Sequence, residues 1–201
     1  QIEDRQLRSV DDVARFARHI ALPEIGPEGQ ERISAARVLL VGGDLVAETA
    51  RRYLEAAGAA VTPAPARTLG AADWVQALGG ATVVLRTGFD DDAMLSAARA
   101  TGVPVVVTRI AGDVVDVLSF RHRPRPAAEV PDLPPSPAHA APSGAAAVVA
   151  GTLAAVEALW LIVGRPDTAA EGARHLRLPL DGGDPRVTDI PWPPPDVAAS
   201  E

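Results

Sequence analysis

A strand–glycine turn–helix pattern at residues 37–58 is the part of the sequence with the clearest capacity for chemistry. Residues 38–41 form a continuous apolar run, which is typical of a strand covered on both faces. Gly42 and Gly43 end this run, apolar residues then recur at helical spacing, and Gly58 provides a C-terminal stop signal. In mononucleotide-binding folds, such a turn and the following helix N-terminus hold a phosphate. The pattern therefore predicts the fold, and the chemistry depends on the other residues of the turn.

The segment after Gly58 lacks a feature that dinucleotide-binding folds use. A second strand is predicted at residues 59–62, and Pro63 ends it. An acidic residue near the end of this strand would hold the ribose hydroxyl groups of a dinucleotide. The sequence here is TPAPAR, which contains no acid. A dehydrogenase-type cofactor site is therefore not expected.

Composition excludes several other classes of site. The chain has 201 residues, no cysteine and no lysine, and its net charge is -7. Without cysteine there is no disulfide, no thiolate zinc site and no cysteine nucleophile. The four histidines form no HxH or HExxH pair, so neither zinc nor another metal is predicted. The negative charge argues against nonspecific nucleic-acid binding.

Targeting signals are not apparent in the sequence. The most apolar stretch, residues 145–163, carries Glu157 and is rich in alanine, which favours a buried helix over a membrane span. The first residues show no basic and then apolar signal pattern. The chain is therefore expected to be cytoplasmic and not associated with a membrane.

Two helices, residues 10–20 and 27–35, are predicted to form an N-terminal arm, and alternating strands and helices follow it. The predicted strands are residues 38–41, 59–62, 81–85, 103–108 and 114–120, with helices at 45–57, 71–78, 90–101 and 144–163 and a final hairpin at 174–180 and 186–190. This alternation predicts an α/β, Rossmann-like, mostly parallel sheet with helices on both faces.

The expected organisation is an arm at residues 1–34, one Rossmann-type domain at residues 35–190 and a proline-rich tail at residues 191–201. Residues 121–142 are rich in proline and alanine and are expected to form an irregular crossover loop within that domain.

Residues 15–43, RFARHIALPEIGPEGQERISAARVLLVGG, closely resemble the opening of the ThiF/MoeB/HesA proteins, the bacterial relatives of ubiquitin-activating E1 enzymes. The resemblance is ungapped here and continues more weakly to about residue 190, as in a shortened and degenerate member. It implies an E1-like fold. It also implies a dimer that uses ATP and magnesium to adenylylate the C-terminal glycine of a ubiquitin-like or sulfur-carrier protein.

The loop residues depart from the pattern that the resemblance implies. The family loop reads Gly-x-Gly-x-x-Gly; Gly42 keeps its first glycine, Gly43 follows, and Asp44 and Ala47 stand at the second and third. A carboxylate at Asp44 would face the triphosphate, and two like unit charges at about 4 Å repel by about 4 kcal/mol at an effective dielectric constant of about 20. Loss of useful nucleotide affinity is expected, unless Asp44 turns away or binds a metal.

Other family site residues are also missing. The family lysine has no counterpart because the chain has no lysine, and no acid occupies the turn that should hold the metal-binding aspartate. Arg86, Asp90 and Arg109 are weak candidates to replace these functions, although the acids at 90–92 also suit the start of a helix.

One family site residue is retained in the arm. The resemblance implies that Arg18 reaches across a dimer interface to the ATP phosphates of the partner. Arginine suits this role because its planar, always charged fork matches phosphate oxygens. The alternative is a surface residue that forms an ion pair with Glu24 or Glu28.

These residues lead to three alternative hypotheses for the function. The first is an E1-like pseudoenzyme that binds no ATP itself, forms a homodimer or a heterodimer with an intact subunit, and donates Arg18 to the partner's site. The second is a divergent but active adenylyltransferase that uses Arg86, Asp90 and Arg109. The third is a binding module for a ubiquitin-like or sulfur-carrier protein.

Overall fold

The computed structural model describes residues 10–64, 70–88, 92–121, 143–164 and 172–191. Three short helices precede an alternation of strands and helices. The helices are α1 Val10–Arg15, α2 Ala17–Ile20, α3 Gly26–Ala35, α4 Leu45–Ala57, α5 Ala71–Leu78, α6 Asp92–Thr101 and α7 Gly144–Val163. The strands are β1 Arg37–Val41, β2 Ala60–Pro63, β3 Val83–Thr87, β4 Val105–Ala111, β5 Val114–Phe120, β6 Gly172–Pro179 and β7 Arg186–Pro191.

These strands form one mixed sheet in the order β2-β1-β3-β4-β5-β6-β7. The first four strands are parallel, and helical crossovers through α4, α5 and α6 join each of them to the next. The pairs β4–β5, β5–β6 and β6–β7 are antiparallel. The predicted α/β, Rossmann-like class is confirmed, and the antiparallel half includes the predicted C-terminal hairpin.

Helices cover both faces of the parallel half of the sheet. On one face, α4 and α7 pack on apolar residues that include Leu40, Leu85 and Val106. On the other face, α5 and α6 cover Val84 and Val107. The central strand β3 is buried along its whole length, which explains its continuous apolar start.

Helix α7 is long and apolar enough to cross a membrane by length and composition, and most of its length is buried inside the protein. It lies closest to α4 at Gly151, where an added Cβ atom would come within 2.5 Å of the Val46 carbonyl oxygen. Glu157, on the same helix, accepts a hydrogen bond of 2.8 Å from Ser119 and lies 3.5 Å from Arg174 of β6. The prediction of a buried helix at this position is confirmed.

The N-terminal arm is held against α4 by a small set of contacts. The Phe16 ring is buried and lies over Gly58, where a Cβ atom would approach Phe16 Cζ to 2.9 Å. Gln30 is fully buried, donates a hydrogen bond of 2.9 Å to the carbonyl of Ala57 and contacts His19 Nδ1 at 2.9 Å. These contacts give the aromatic, histidine and glutamine of the arm motif a role inside the chain.

Several predicted boundaries differ from the structure. The single helix predicted at residues 10–20 is two helices, because Phe16 has a non-helical φ of -100° and ψ of 12° between them. The third and fourth strands begin and end later than predicted, so Arg86, Thr87 and Arg109 belong to strands. The predicted crossover loop at residues 121–142, apart from residue 121, lies outside the described residues, as do residues 1–9, residues 89–91 and the tail from residue 192.

Candidate functional site

The turn between β1 and α4 is closed by a side chain from the neighbouring strand. Gly42 has a φ of +138°, which L side chains rarely adopt, and an added Cβ atom would lie 2.0 Å from Thr87 Oγ1. Thr87 is the last residue of β3, which is parallel to β1 and adjacent to it. Because parallel strands end at the same edge of a sheet, β3 delivers this hydroxyl group directly to the turn.

Asp44 is the N-cap residue of α4. Its Oδ1 accepts a hydrogen bond of 2.9 Å from the backbone N–H of Ala47, and Thr87 Oγ1 donates a second one, also of 2.9 Å, to the same oxygen. The extended backbone at Asp44, with φ of -89° and ψ of 179°, is the usual geometry of such a cap. The carboxylate therefore points at the helix N-terminus.

This geometry has a direct consequence for anions. In nucleotide-binding turns, the N–H groups and positive end of the helix dipole meet a phosphate. Here one of those N–H groups, that of Ala47, already binds the Asp44 carboxylate. A phosphate would have to displace a cap that contributes about 1 kcal/mol and would face like charge of about 4 kcal/mol at 4 Å. The arrangement is a helix start stabilised by its own carboxylate.

The first turns of α4 carry a second electrostatic feature. Arg51 and Arg52 both donate to Glu48, at distances of 2.8 to 3.0 Å. The hydrogen bonds from Arg52 and then Arg51 lower the pKa of the Glu48 carboxyl. All three residues lie on the solvent side of the helix, and their contacts support the helix.

Of the weak candidates from the sequence, the structure describes Arg86 and Arg109, which lie on different strands. Arg86 is buried on β3, in register with Val41 on β1 and Val107 on β4. Arg109 lies on β4 directly opposite Asp116 of β5, in the antiparallel half of the sheet. Asp90 lies outside the described residues.

Arg18 is exposed on α2. Among the described residues, neither Glu24 nor Glu28 forms an ion pair with Arg18; Glu28 instead lies 4.0 Å from Arg32. Its neighbours in the arm motif are engaged within the chain, since Phe16 contacts Gly58 and His19 contacts Gln30, whereas Arg18 is exposed.

In the described part of the chain, no group of three or more His, Asp or Glu side chains is placed to hold a metal ion. The residue that sequence reasoning missed is Thr87. Its only signal was a position just after a strand predicted to end at Leu85, and its partner Asp44 lies 43 residues away.

Comparison with known proteins places these observations in a family context. A 57-residue segment is 39% identical to the probable adenylyltransferase/sulfurtransferase MoeZ of Mycobacterium tuberculosis, covering 28% of this chain and 14% of that protein. A 44-residue segment is 46% identical to the SAMP-activating enzyme E1 of Haloferax volcanii, covering 22% and 16%. A 48-residue segment is 42% identical to the sulfur carrier protein adenylyltransferase of Thermus thermophilus, covering 24% and 18%.

The fold comparison extends over almost the whole chain. PaaA superposes with a TM-score of 0.69 at 14% identity, over 92% of this chain and 75% of PaaA. This chain is similar to E1-like proteins. Escherichia coli MccB, solved with MccA-N7isoASN, superposes with a TM-score of 0.66 at 10% identity, over 93% of this chain and 74% of MccB. No family model matches this chain. Its matches to the first three relatives span less than a fifth of their length.

Proposed function

We propose that this chain is an E1-like subunit that does not adenylylate by itself and that acts within a ubiquitin-like or sulfur-carrier protein system. The observation that carries the proposal is the Asp44 carboxylate at the N-terminus of α4, held by the Ala47 N–H and the Thr87 hydroxyl. In an active nucleotide site, this position belongs to phosphate. Here the protein itself supplies the negative charge.

The names of the relatives support the system in which the subunit acts. One of them is named as a SAMP-activating enzyme E1 and another as a sulfur carrier protein adenylyltransferase. An active adenylyltransferase would need groups that meet the triphosphate and magnesium. The candidates Arg86 and Arg109 are both on strands, where Arg86 is buried and Arg109 faces Asp116. We therefore favour the non-adenylylating function, in the cytoplasm, over the divergent enzyme.

We further propose that Arg18 completes the ATP site of an intact E1-like subunit in a dimer. The support is that different residues of the arm have different surroundings. Phe16 and Gln30 hold the arm against α4, and Arg18 is left exposed on the same short segment. A guanidinium held on a docked arm is well suited to reach phosphate oxygens on another subunit, because less conformational entropy is lost when it binds.

Calorimetry with ATP and magnesium tests the first part of the proposal. The purified chain is expected to release no binding heat at micromolar nucleotide. The Asp44→Asn variant keeps a capping side chain but loses the negative charge, so it separates the effect of the charge from that of the turn geometry. Micromolar binding by the wild-type chain would overturn the non-adenylylating function.

Kinetics of a mixed dimer test the role of Arg18. With an active E1-like partner, Arg18→Ala is expected to slow adenylylation by about tenfold or more while size-exclusion chromatography shows unchanged assembly. Arg15→Ala is the matched control, because Arg15 is an exposed arginine on the same arm whose guanidinium lies over the Phe16 ring at 5.0 Å. Equal turnover in the Arg18→Ala and Arg15→Ala complexes would rule out the trans role.

A further inference from the structure

A row of charged residues crosses the antiparallel half of the sheet, away from the turn discussed above. Arg109 of β4 is directly opposite Asp116 of β5, Asp116 is opposite Arg177 of β6, and Arg177 is opposite Arg186 of β7. Residues directly opposite one another on adjacent strands point to the same face. Three arginines and one aspartate therefore share one face of the sheet.

The single aspartate of this row is already engaged. His175 Nε2 lies 2.8 Å from Asp116 Oδ1, and Arg177 Nη1 lies 3.3 Å from both carboxylate oxygens. Among the residues that the structure describes, the Arg186 side chain forms no ion pair or hydrogen bond. Arg177 and Arg186 thus stand beside a single carboxylate, that of Asp116, which His175 also contacts, in a chain whose net charge is -7.

Arg177 and Arg186 place two positive charges at directly opposite positions of β6 and β7, and of the two only Arg177 contacts Asp116. Like charges directly opposite one another on neighbouring strands destabilise a sheet. An anionic group placed between the two guanidinium groups would turn this repulsion into attraction, since each arginine presents a planar fork that matches a carboxylate.

The position of the pair indicates the kind of anion. Within the described strands, β7 is the last strand of the sheet, so its outer backbone N–H and C=O groups face no other strand. Arg186 and the residues around it are exposed, and Val187 is 52% exposed on the opposite face of the strand. An open edge of this kind suits an extended polypeptide, which can pair with the backbone and place alternate side chains on the two faces. It does not enclose a small ion.

We propose that the β7 edge, with Arg177 and Arg186, binds an extended acidic segment of a partner protein. Carboxylates of the segment meet the two arginines on one face, and an apolar side chain between them meets Val187 on the other face. This inference goes beyond the proposed function, because it concerns a different surface and does not depend on whether the chain or its partner adenylylates.

Fluorescence anisotropy with a labelled eight-residue peptide of alternating glutamate and valine provides the test, with the glutamine–valine peptide as control. The wild-type chain is expected to bind the glutamate peptide and not the glutamine peptide, with affinity that falls as salt rises. The double variant Arg177→Gln/Arg186→Gln is expected to weaken binding by about tenfold. Arg52→Gln, which removes one arginine from α4 on the other side of the sheet, is expected to leave binding unchanged.

Thermal unfolding of the free variants provides a second readout that needs no ligand. Arg186→Gln is expected to raise the melting temperature, because it removes the repulsion with Arg177, whereas Arg52→Gln, which loses the contact with Glu48, is expected not to raise it. A lower melting temperature for Arg186→Gln would show that the arginine pair is not strained and would overturn the inference.

Three binding results would also overturn it: no binding of the glutamate peptide, equal binding by the double variant and by Arg52→Gln, or complete displacement of the peptide by inorganic phosphate at constant ionic strength. The last result would mean a simple anion site. Because none of these variants alters Arg18 or Asp44, failure here is distinguishable from failure of the proposed function.

Discussion

Thr87 Oγ1 donates a hydrogen bond of 2.9 Å to Asp44 Oδ1 and so joins the end of β3 to the start of α4. The same hydroxyl group occupies the space above Gly42, where no side chain fits. In this loop of nucleotide-binding architecture, Thr87 thus contacts both Asp44 and Gly42. The stability of the loop should therefore depend on contacts within the protein, and no ligand should be needed to order it.

The bond between Asp44 and Thr87 can be measured with a double-mutant cycle. Asp44→Ala is expected to lower the free energy of unfolding by about 1 to 2 kcal/mol, because it removes the helix cap together with the bond to Thr87. Thr87→Val should lower it by about 1 kcal/mol and keep the shape of the side chain. Urea unfolding should give a coupling energy of about 0.5 to 1.5 kcal/mol. A coupling near zero would mean that the two side chains do not interact in solution.

Gly42 and Gly43 are adjacent glycines with different expected sensitivity to substitution. Gly42→Ala should lower the free energy of unfolding by about 1 to 3 kcal/mol, because the backbone is in a strained region and the new Cβ atom meets Thr87. Gly43→Ala is the matched control, since a Cβ atom there meets nothing within 4 Å. Denaturant titration of the two variants checks this, and equal effects would contradict the geometry of the turn.

Gly151 is expected to be required for the close crossing of α4 and α7. Alanine is favoured over glycine by about 1 kcal/mol inside a helix, yet Gly151→Ala should destabilise the protein by about 1 to 3 kcal/mol because its Cβ atom meets the Val46 carbonyl and the Thr49 side chain. Gly144→Ala, at the start of the same helix, meets nothing within 4 Å and serves as control. Calorimetric melting of both variants distinguishes packing from helix propensity, which predicts the opposite sign at Gly151.

Docking of the arm should depend on Gln30 more than on the exposed arginines. Gln30→Ala leaves the contacts with Ala57 and His19 unmade in a fully buried site, so a loss of about 1 to 3 kcal/mol is expected. Hydrogen exchange of the arm amides should increase in this variant, and Arg15→Ala should leave the exchange unchanged. Protection equal to that of the wild type would show that another contact holds the arm.

Removal of Glu157 alone is expected to destabilise the protein. Glu157→Ala leaves the largely buried Arg174 side chain without its carboxylate and should cost about 3 kcal/mol. The double variant Glu157→Leu/Arg174→Leu should recover part of this loss, because apolar residues can replace a buried ion pair, while the buried Ser119 hydroxyl group still lacks its acceptor. Urea unfolding of the single and double variants decides the question, and failure of the double variant to recover would indicate that shape, not charge, holds α7 against β6.

Part of the structure could be predicted from the sequence because the signals are local. The apolar run of β1, the glycine stop at Gly58 and the small-residue helix α7 each depend on neighbouring residues, and the order of the elements then leaves few topologies for the sheet. The resemblance to E1-like proteins also came from local sequence, that of the arm motif. The structural role of Phe16 and Gln30 in this motif is visible only in their contacts with residues 57 and 58.

The sequence by itself determined the alternation of strands and helices and the absence of cysteine and lysine chemistry. Only the tertiary structure decided where the Asp44 carboxylate points, because its second donor, Thr87, is 43 residues away and arrives through the register of two parallel strands. The arginine row was equally hidden, since Arg109, Asp116, Arg177 and Arg186 become neighbours only when four strands pair. The spacing of residue types in the sequence reports on neighbours along the chain, whereas the charges around a side chain depend on which residues pair with it across the sheet.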